Sequence, residues 1–299
     1  MGLFHRLVVA ALPRVPRSVV ARVARRYIAG ETLEEAVECV RGLRAEGFGS
    51  TLDVLGEFVS RPEQARETAD EYGRALAALR GAGLPVNVSL KLTAFGLLLD
   101  PGECERLVEG VAEGAAEGGG FVRIDMEDSP CTDATLGIHD RLRARGLPVG
   151  TVLQARLRRT PGDASRLAAE AASVRLCKGI YLEPESIAHT GFAEIRAAFL
   201  GCLEILLRGK GRVAIATHDA HLVDGAEAML RRLGTPRERY EFQMLLGVLP
   251  SLRRAVLARG HAIRVYVPYG SEWYAYSTRR LRENPEVAGH VLRAMFTRG

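Results

Sequence analysis

The sequence predicts an α/β fold, a (β/α)8 barrel of the TIM type, on three observations. Eight short apolar runs recur along the 299 residues, segments of helical period lie between them, and glycine or proline punctuates nearly every junction. The runs are 50–55, 86–92, 121–126, 150–157, 173–180, 212–217, 240–246 and 262–267, and the helical segments include 61–81, 103–117, 132–145 and 193–207. Gly47-Phe48-Gly49, Gly83-Leu84-Pro85, Gly118-Gly119-Gly120 and Gly146-Leu147-Pro148 mark the junctions. A doubly wound open sheet would show G-x-G-x-x-G after its first strand, and Leu55-Gly56-Glu57 is not that. The chain divides into an N-terminal helical segment, 1–45, packed on the barrel, and the barrel itself, 46–299.

Residues 1–30 carry Arg6, Arg14, Arg17, Arg22, Arg25 and Arg26 and no acid. Interleaved with Leu, Val, Ala and Ile, these read either as a helix packed against the barrel or as a basic amphipathic surface for an anionic membrane. Packing is the simpler reading. The apolar stretch 7–12 stops at Pro13-Arg14, too short to span a bilayer and a poor secretory signal. A cytoplasmic protein is expected, with peripheral association with the inner face of the membrane left open. The net charge of +5 comes without a long Lys/Arg block or an aromatic-basic repeat, which argues against nucleic acid. Five scattered cysteines without a C-x-x-C pair fit a reducing compartment and no zinc site.

In a (β/α)8 barrel the active site lies at the carboxyl ends of the strands, so polar residues there define the candidates. Glu57 follows the first run, and Lys91 ends the second. Arg123, Asp125, Glu127 and Asp128 crowd the third. Gln154, with Arg156 and Arg158, marks the fourth, and Arg175, Lys178, Gly179 and Tyr181 the fifth. Thr217, His218 and Asp219 end the sixth, Glu241 and Gln243 lie on the seventh, and Tyr266 and Tyr269 end the eighth. Charged residues inside strands are costly unless paired or bound to a ligand. Lys91 therefore has three readings: an inter-strand ion pair with Asp125 as partner, a Schiff-base nucleophile, or a cation for an anionic ligand. His218-x-x-His221 is too sparse for a metal site, and none is expected. Lys178-Gly179 and the turn after Thr217 could cradle phosphates. Arg175 could place positive charge beside an electron-accepting ring.

The last strand turns at Pro268-Tyr269-Gly270 into a helix opened by Ser271, whose hydroxyl can cap it. Trp273, Tyr276 and Arg280 share a face, with Arg279 beside it and Glu283 one turn on. An arginine pair among aromatic rings can seat a small carboxylate; alone it reads first as a solvated basic helix.

Seven motifs in order resemble the proline dehydrogenase family, over about residues 45–290. They are Ser89-Leu90-Lys91-Leu92-Thr93, Arg123-Ile124-Asp125-Met126-Glu127, Val152-Leu153-Gln154-Ala155 and Arg175-Leu176-Cys177-Lys178-Gly179-Ile180-Tyr181. Ala216-Thr217-His218-Asp219, Tyr240-Glu241-Phe242-Gln243 and the closing Tyr266, Tyr276, Arg279-Arg280 and Glu283 follow. The resemblance implies a distorted barrel holding FAD, with the last helix over the barrel mouth. It implies flavin-dependent oxidation of L-proline to 1-pyrroline-5-carboxylate, a quinone acceptor at the membrane, and a functional link to a pyrroline-5-carboxylate dehydrogenase. Arg279, Arg280 and Lys91 would take the proline carboxylate, Tyr266, Tyr276 and Tyr181 would wall its ring, and Glu57 would close by pairing the first arginine.

Among the cofactor residues, Gln154, Asp125 and Arg175 would address the flavin ring. Lys178, Gly179, Thr217, His218 and Glu241 would hold the phosphate and adenosine end, with Met126, Gln243 and Glu283 completing the set. Arg156, Ile180 and Asp219 depart from the family pattern, all on the cofactor side. No strong general base stands beside the arginines, so the substrate amine is expected to bind neutral and the rate to rise with pH. The competing reading is an aldolase-like Schiff-base lyase using Lys91.

Overall fold

The computed structural model describes residues 24–274 and Tyr276. The eight runs are strands β1 (Gly49–Val54), β2 (Asn87–Leu90), β3 (Phe121–Ile124), β4 (Val149–Gln154), β5 (Val174–Cys177), β6 (Val213–Ala216), β7 (Tyr240–Leu245) and β8 (Ile263–Tyr269). They pair in parallel in chain order, and β8 pairs with β1 to close the barrel. The predicted (β/α)8 fold is the fold observed.

Helices α1 (Leu33–Ala45), α2 (Pro62–Gly81), α3 (Pro101–Glu117), α4 (Thr132–Ala144), α5 (Thr160–Ala169), α6 (Phe192–Arg208), α7 (Ala220–Leu233) and α8 (Pro250–Ala258) surround it. Their starts are written in the sequence. Thr32 and Glu35 form a capping box for α1, the Asp100 carboxylate accepts from Gly102 N and Glu103 N at α3, and α2, α3 and α8 open with proline.

Two strands, β4 and β5, end three residues earlier than their apolar runs. After Gln154 the chain turns, with Leu157 N donating to Gln154 O at 3.1 Å. After Cys177 it bends at Gly179, whose φ of +94° suits glycine.

Strand alternation divides the barrel into two environments. Leu52, Val88, Leu90, Val122, Ile124, Leu176, Ile215, Phe242, Val265 and Val267 are fully buried in the core shared with the helices. The other face looks into the lumen and is polar. Bonds between non-neighbouring strands must cross that lumen: Arg175 of β5 reaches Ser89 of β2 and Gln243 of β7, and Tyr266 of β8 reaches Asp125 beyond β3. Each fully buried aliphatic side chain contributes about 1.5–3 kcal/mol, whereas buried ion pairs roughly break even against their desolvation. The outer layer therefore carries stability, and the lumen is free for chemistry.

From the N-terminal segment, α1 packs against both β8 and β1, in the slot where the helix after the last barrel strand would lie. The preceding turn is tied to the end of β8 by Ala29 N to Pro268 O at 2.8 Å and Gly270 N to Gly30 O at 3.1 Å. After β8 a helical turn begins at Trp273, with Tyr276 N bonded to Glu272 O. The expected course of the last helix over the mouth, with Arg279, Arg280 and Glu283, lies outside the described residues, as does most of the basic segment before residue 24. Among the described residues no helix is long and apolar enough to cross a membrane.

Candidate active site

Two linked ion pairs occupy the carboxyl-end half of the lumen. The first is Lys91 with Asp53. Lys91 follows β2, and its Nζ lies 2.9 and 3.2 Å from the Asp53 carboxylate oxygens, 3.3 Å from Tyr266 OH and 4.0 Å from Glu57. This corrects the expected pairing: the partner of Lys91 is Asp53 of β1. Asp125 is taken by other donors, accepting from Arg175 Nη1 at 2.5 Å and Tyr266 OH at 2.8 Å. Burial pulls the Lys91 ammonium down, but Asp53, Asp125 and Glu57 together outweigh it and hold it above its ordinary value. Asp53, fully buried, is raised by that burial to about 6 despite Lys91. At neutral pH the pair is ionic.

Arg175 spends its remaining donors on Gln243 Oε1 at 2.5 Å and Ser89 Oγ at 2.8 Å, and Ser89 Oγ also lies 3.1 Å from Thr51 Oγ1. The Arg175 and Lys91 cations lie 5.4 and 5.9 Å from the Tyr266 ring. Burial and the neighbouring Asp125 and Asp53 carboxylates push the Tyr266 phenol well up, so it stays protonated and donates. The network leaves Lys91, Arg175 and Tyr266 with little freedom to rotate.

The strand-to-helix loops are braced from below. Glu127, fully buried, accepts from Thr93 N at 3.0 Å and Thr93 Oγ1 at 2.5 Å; Thr93 in turn accepts from Phe58 N and Val59 N in the loop that carries Glu57. Phe58 has a φ of +52°, a left-handed conformation that this anchoring holds. Burial raises the Glu127 carboxyl to about 7, with the Thr93 bonds opposing. Gln154 donates to Glu127 O at 2.7 Å.

Lys178, Thr217 and Asp219 meet where β5 and β6 end. Lys178 Nζ lies 3.3 Å from Asp219, and Asp219 N donates to Thr217 Oγ1. Arg196 of α6, which the sequence does not single out, holds both Asp219 oxygens at 2.8 and 2.7 Å. That contact chiefly, with Lys178, pulls the Asp219 carboxyl down to about 2. Both cations face the exposed Phe192 ring, at 5.2 and 4.2 Å. The amino terminus of α7 begins here and adds the positive end of its dipole. His218 Nε2 accepts from Leu245 N at 2.8 Å.

Arg156 reaches over this corner to donate to Tyr181 O at 2.6 Å. A Cβ on Gly179 would stand 2.8 Å from its Cδ and 3.0 Å from Gln154 Oε1, so the loop lies closely over both side chains. Ile180 is half exposed.

The structure thus brings together Lys91, Tyr266, Glu57, Asp125, Arg175, Gln154 and Gln243, and, alongside them, Lys178, Gly179, Thr217, His218 and Tyr181. Met126 is buried directly after Asp125, and Tyr276 is buried at the start of the last helix. Glu241 does not join them: it lies low in the barrel, bonded to Arg264, Arg212 and Gln243. Asp53 and Ser89 were missed as site residues. Their signal is the alternation Thr51, Asp53 and Ser89, Lys91, polar at every second position of two strands.

A closed parallel barrel with buried ion pairs gathered at the carboxyl ends of its strands defines a barrel enzyme. The sequence profile of the family described as "Proline dehydrogenase" matches residues 36–293. A proline dehydrogenase of Deinococcus radiodurans is 35% identical over 298 residues, covering 97% of this chain and 96% of its own. Proline dehydrogenase 1 of Bacillus subtilis strain 168 is 32% identical over 273 residues, covering 91% and 90%. Among solved structures, proline utilization A of Bdellovibrio bacteriovorus, inactivated by N-propargylglycine, superposes with a TM-score of 0.81 at 26% identity. That match covers 87% of this chain but only 32% of the larger protein. The chain belongs to the proline dehydrogenase family, and so to the oxidoreductases.

Proposed function

We propose that the protein oxidises L-proline to 1-pyrroline-5-carboxylate, the first step of proline catabolism to glutamate, with FAD as hydride acceptor. The observation that carries this reading is Lys91, kept as a buried ammonium by Asp53 beside Tyr266 and Glu57. An ammonium held in this way cannot attack a carbonyl, so the Schiff-base alternative lacks its nucleophile. As a cation for a carboxylate it has the right charge, but not enough of it. Lys91 is already paired with Asp53 and Arg175 with Asp125, so neither cation has a full charge to spare. An anionic substrate needs further positive charge. Arg279 and Arg280 are the residues that would bring it, with Glu57 pairing the first. Tyr266, Tyr276 and Tyr181 would then wall the ring and turn C5 toward the cofactor.

The residues present fit a cofactor with phosphates and flat rings. Lys178, Arg196 and the α7 amino terminus offer charge for phosphates, and Gly179 lets backbone approach closely where a Cβ would collide. Gln154, Asp125 and Arg175 would address the flavin edge, Thr217 and His218 the phosphate and adenosine end, with Met126 and Glu283 alongside. Gln243 would act through Arg175 by fixing its Nε. When bound, FAD supplies the acceptor for the hydride leaving C5. The chain's own part is to bind the carboxylate, orient the ring and hold Arg175 in place. Reoxidation by a membrane quinone, from a cytoplasmic protein whose basic amino-terminal residues help it dock, completes the proposal. The product would pass to a pyrroline-5-carboxylate dehydrogenase.

The test is the visible spectrum of the purified protein, followed on adding L-proline. Flavin bands that proline bleaches are expected. Bands that proline leaves unchanged would remove the substrate, and a colourless protein would remove the cofactor.

A further inference from the structure

At the amino-terminal end of the strands, opposite Lys91, the lumen opens into a cavity of about 100 Å³. Arg123, Arg175, Arg212, Arg264, Glu241 and Gln243 line it. Arg175 is neutralised by Asp125, while Glu241 is shared by Arg212 at 2.8 Å and Arg264 at 2.8 and 3.2 Å. Four guanidiniums thus meet two carboxylates among the described residues, and two positive charges are left over.

Arg123 shows the excess most plainly. It is 5% exposed, and its bonds run only to neutral oxygens: Thr151 O at 2.9 Å, Ser173 O at 2.7 Å and Ser173 Oγ at 3.0 Å. Among the described residues its Nε has no acceptor. Burial, then the like charge of Arg175, pulls its guanidinium down to about 9. Removing an ion from water costs several kcal/mol that neutral acceptors only partly return, and an anion returns more through charge-assisted bonds.

The surroundings are shaped for the same purpose. Gly150 lies beside Arg123 on β4, where a Cβ would collide with Arg123 Nη1 and the Ser173 carbonyl. Arg212 has a side chain 50% exposed, so the cavity meets solvent beside an arginine that still has free donors. A cavity of about 100 Å³ has room for several waters or for a small inorganic anion.

We propose that this cavity binds a small inorganic anion, held by Arg123 and Arg212 and limited in affinity by the competing carboxylate of Glu241. The site lies at the opposite end of the barrel from Lys91, with Arg175 and Gln243 as the wall it shares with the groups above, and it holds whether or not proline is the substrate. Its size favours an anion of a few atoms over one carried on a bulky organic group.

The full-length protein in sodium gluconate is titrated with sodium phosphate, and separately with sodium chloride, at constant ionic strength while Tm is read. At least one titration should raise Tm saturably; phosphate alone marks an oxyanion site, chloride alone a monatomic one. Arg212→Gln should raise the half-saturating concentration at least fivefold. Glu241→Gln should lower it, a direction that mere loss of stability does not produce. Where chloride raises Tm, crystals soaked in sodium bromide should show an anomalous peak beside Arg123. A Tm that follows only ionic strength, equal half-saturation in wild type and both variants, or, where chloride stabilises, a bromide-soaked cavity without an anomalous peak overturns the proposal.

Discussion

Replacing Glu127 by glutamine should stabilise the protein, increasingly so as pH rises. The wild-type carboxyl is fully buried, and burial lifts it from its ordinary 4.5 to about 7. A carboxyl with a folded-state value above its unfolded one binds its proton more tightly in the folded protein. The stability it lends is complete below 4.5 and is lost as pH climbs through about 7. At roughly 1.4 kcal/mol per unit, ionisation costs the folded state about 3 kcal/mol above pH 7 and about 1 kcal/mol at pH 5. Glutamine keeps the shape and the acceptor for Thr93 N but carries no charge. The stability of Glu127→Gln relative to wild type should therefore rise by about 2.5 kcal/mol between pH 5 and pH 8. For 299 residues that is about 4 °C in Tm. Paired thermal melts across this range are the assay, and Tm curves that stay parallel would refute the reasoning.

Lys91→Met should destabilise by about 3–5 kcal/mol by leaving Asp53 buried without its cation. Adding Asp53→Asn should recover more than half of that loss, and a double-mutant cycle in denaturant reads the coupling. Arg279→Met and Arg280→Met should each raise KM for proline strongly while leaving flavin content unchanged; an unchanged KM in both would remove the carboxylate clamp. If the substrate amine binds neutral, kcat/KM should climb through the neutral-to-alkaline range, and a flat profile counts against it.

Much of the fold was legible because a parallel barrel writes two periods into its sequence. Runs such as 121–126 and 262–267 are short, apolar on alternate positions and closed by glycine or proline, and both are strands within a residue or two. The candidates at the strand ends followed from the fold alone. Pairing across the lumen was not legible, because sequence spacing fixes which residues face inward but not which of them meet. Lys91 and Asp125 lie on adjacent strands and looked like partners, yet Lys91 turned to Asp53 and left Asp125 to Arg175 and Tyr266. Glu241 was hidden for a related reason. Its place near the start of β7 puts it at the foot of the barrel, where its bonds to Arg212 and Arg264 hold it. Arg196 escaped notice because an arginine on an amphipathic helix reads as a solvated residue until Asp219 is placed beside it.

The seating of α1 between β8 and β1 has a consequence for the order in which the molecule is made. The strand that α1 covers is the last of the eight to leave the ribosome, some two hundred residues later (Leu33–Ala45 against Ile263–Tyr269). Until then one flank of α1 has nothing to bury against, and β1 lacks its neighbour on one side. Closing the cylinder must therefore wait for contacts of the greatest sequence separation the chain offers, which slows folding and exposes the unpaired edge of β1 to other chains in the meantime. A nascent chain arrested before residue 263 would be the aggregation-prone species, and synthesis of β8 the event that ends its exposure.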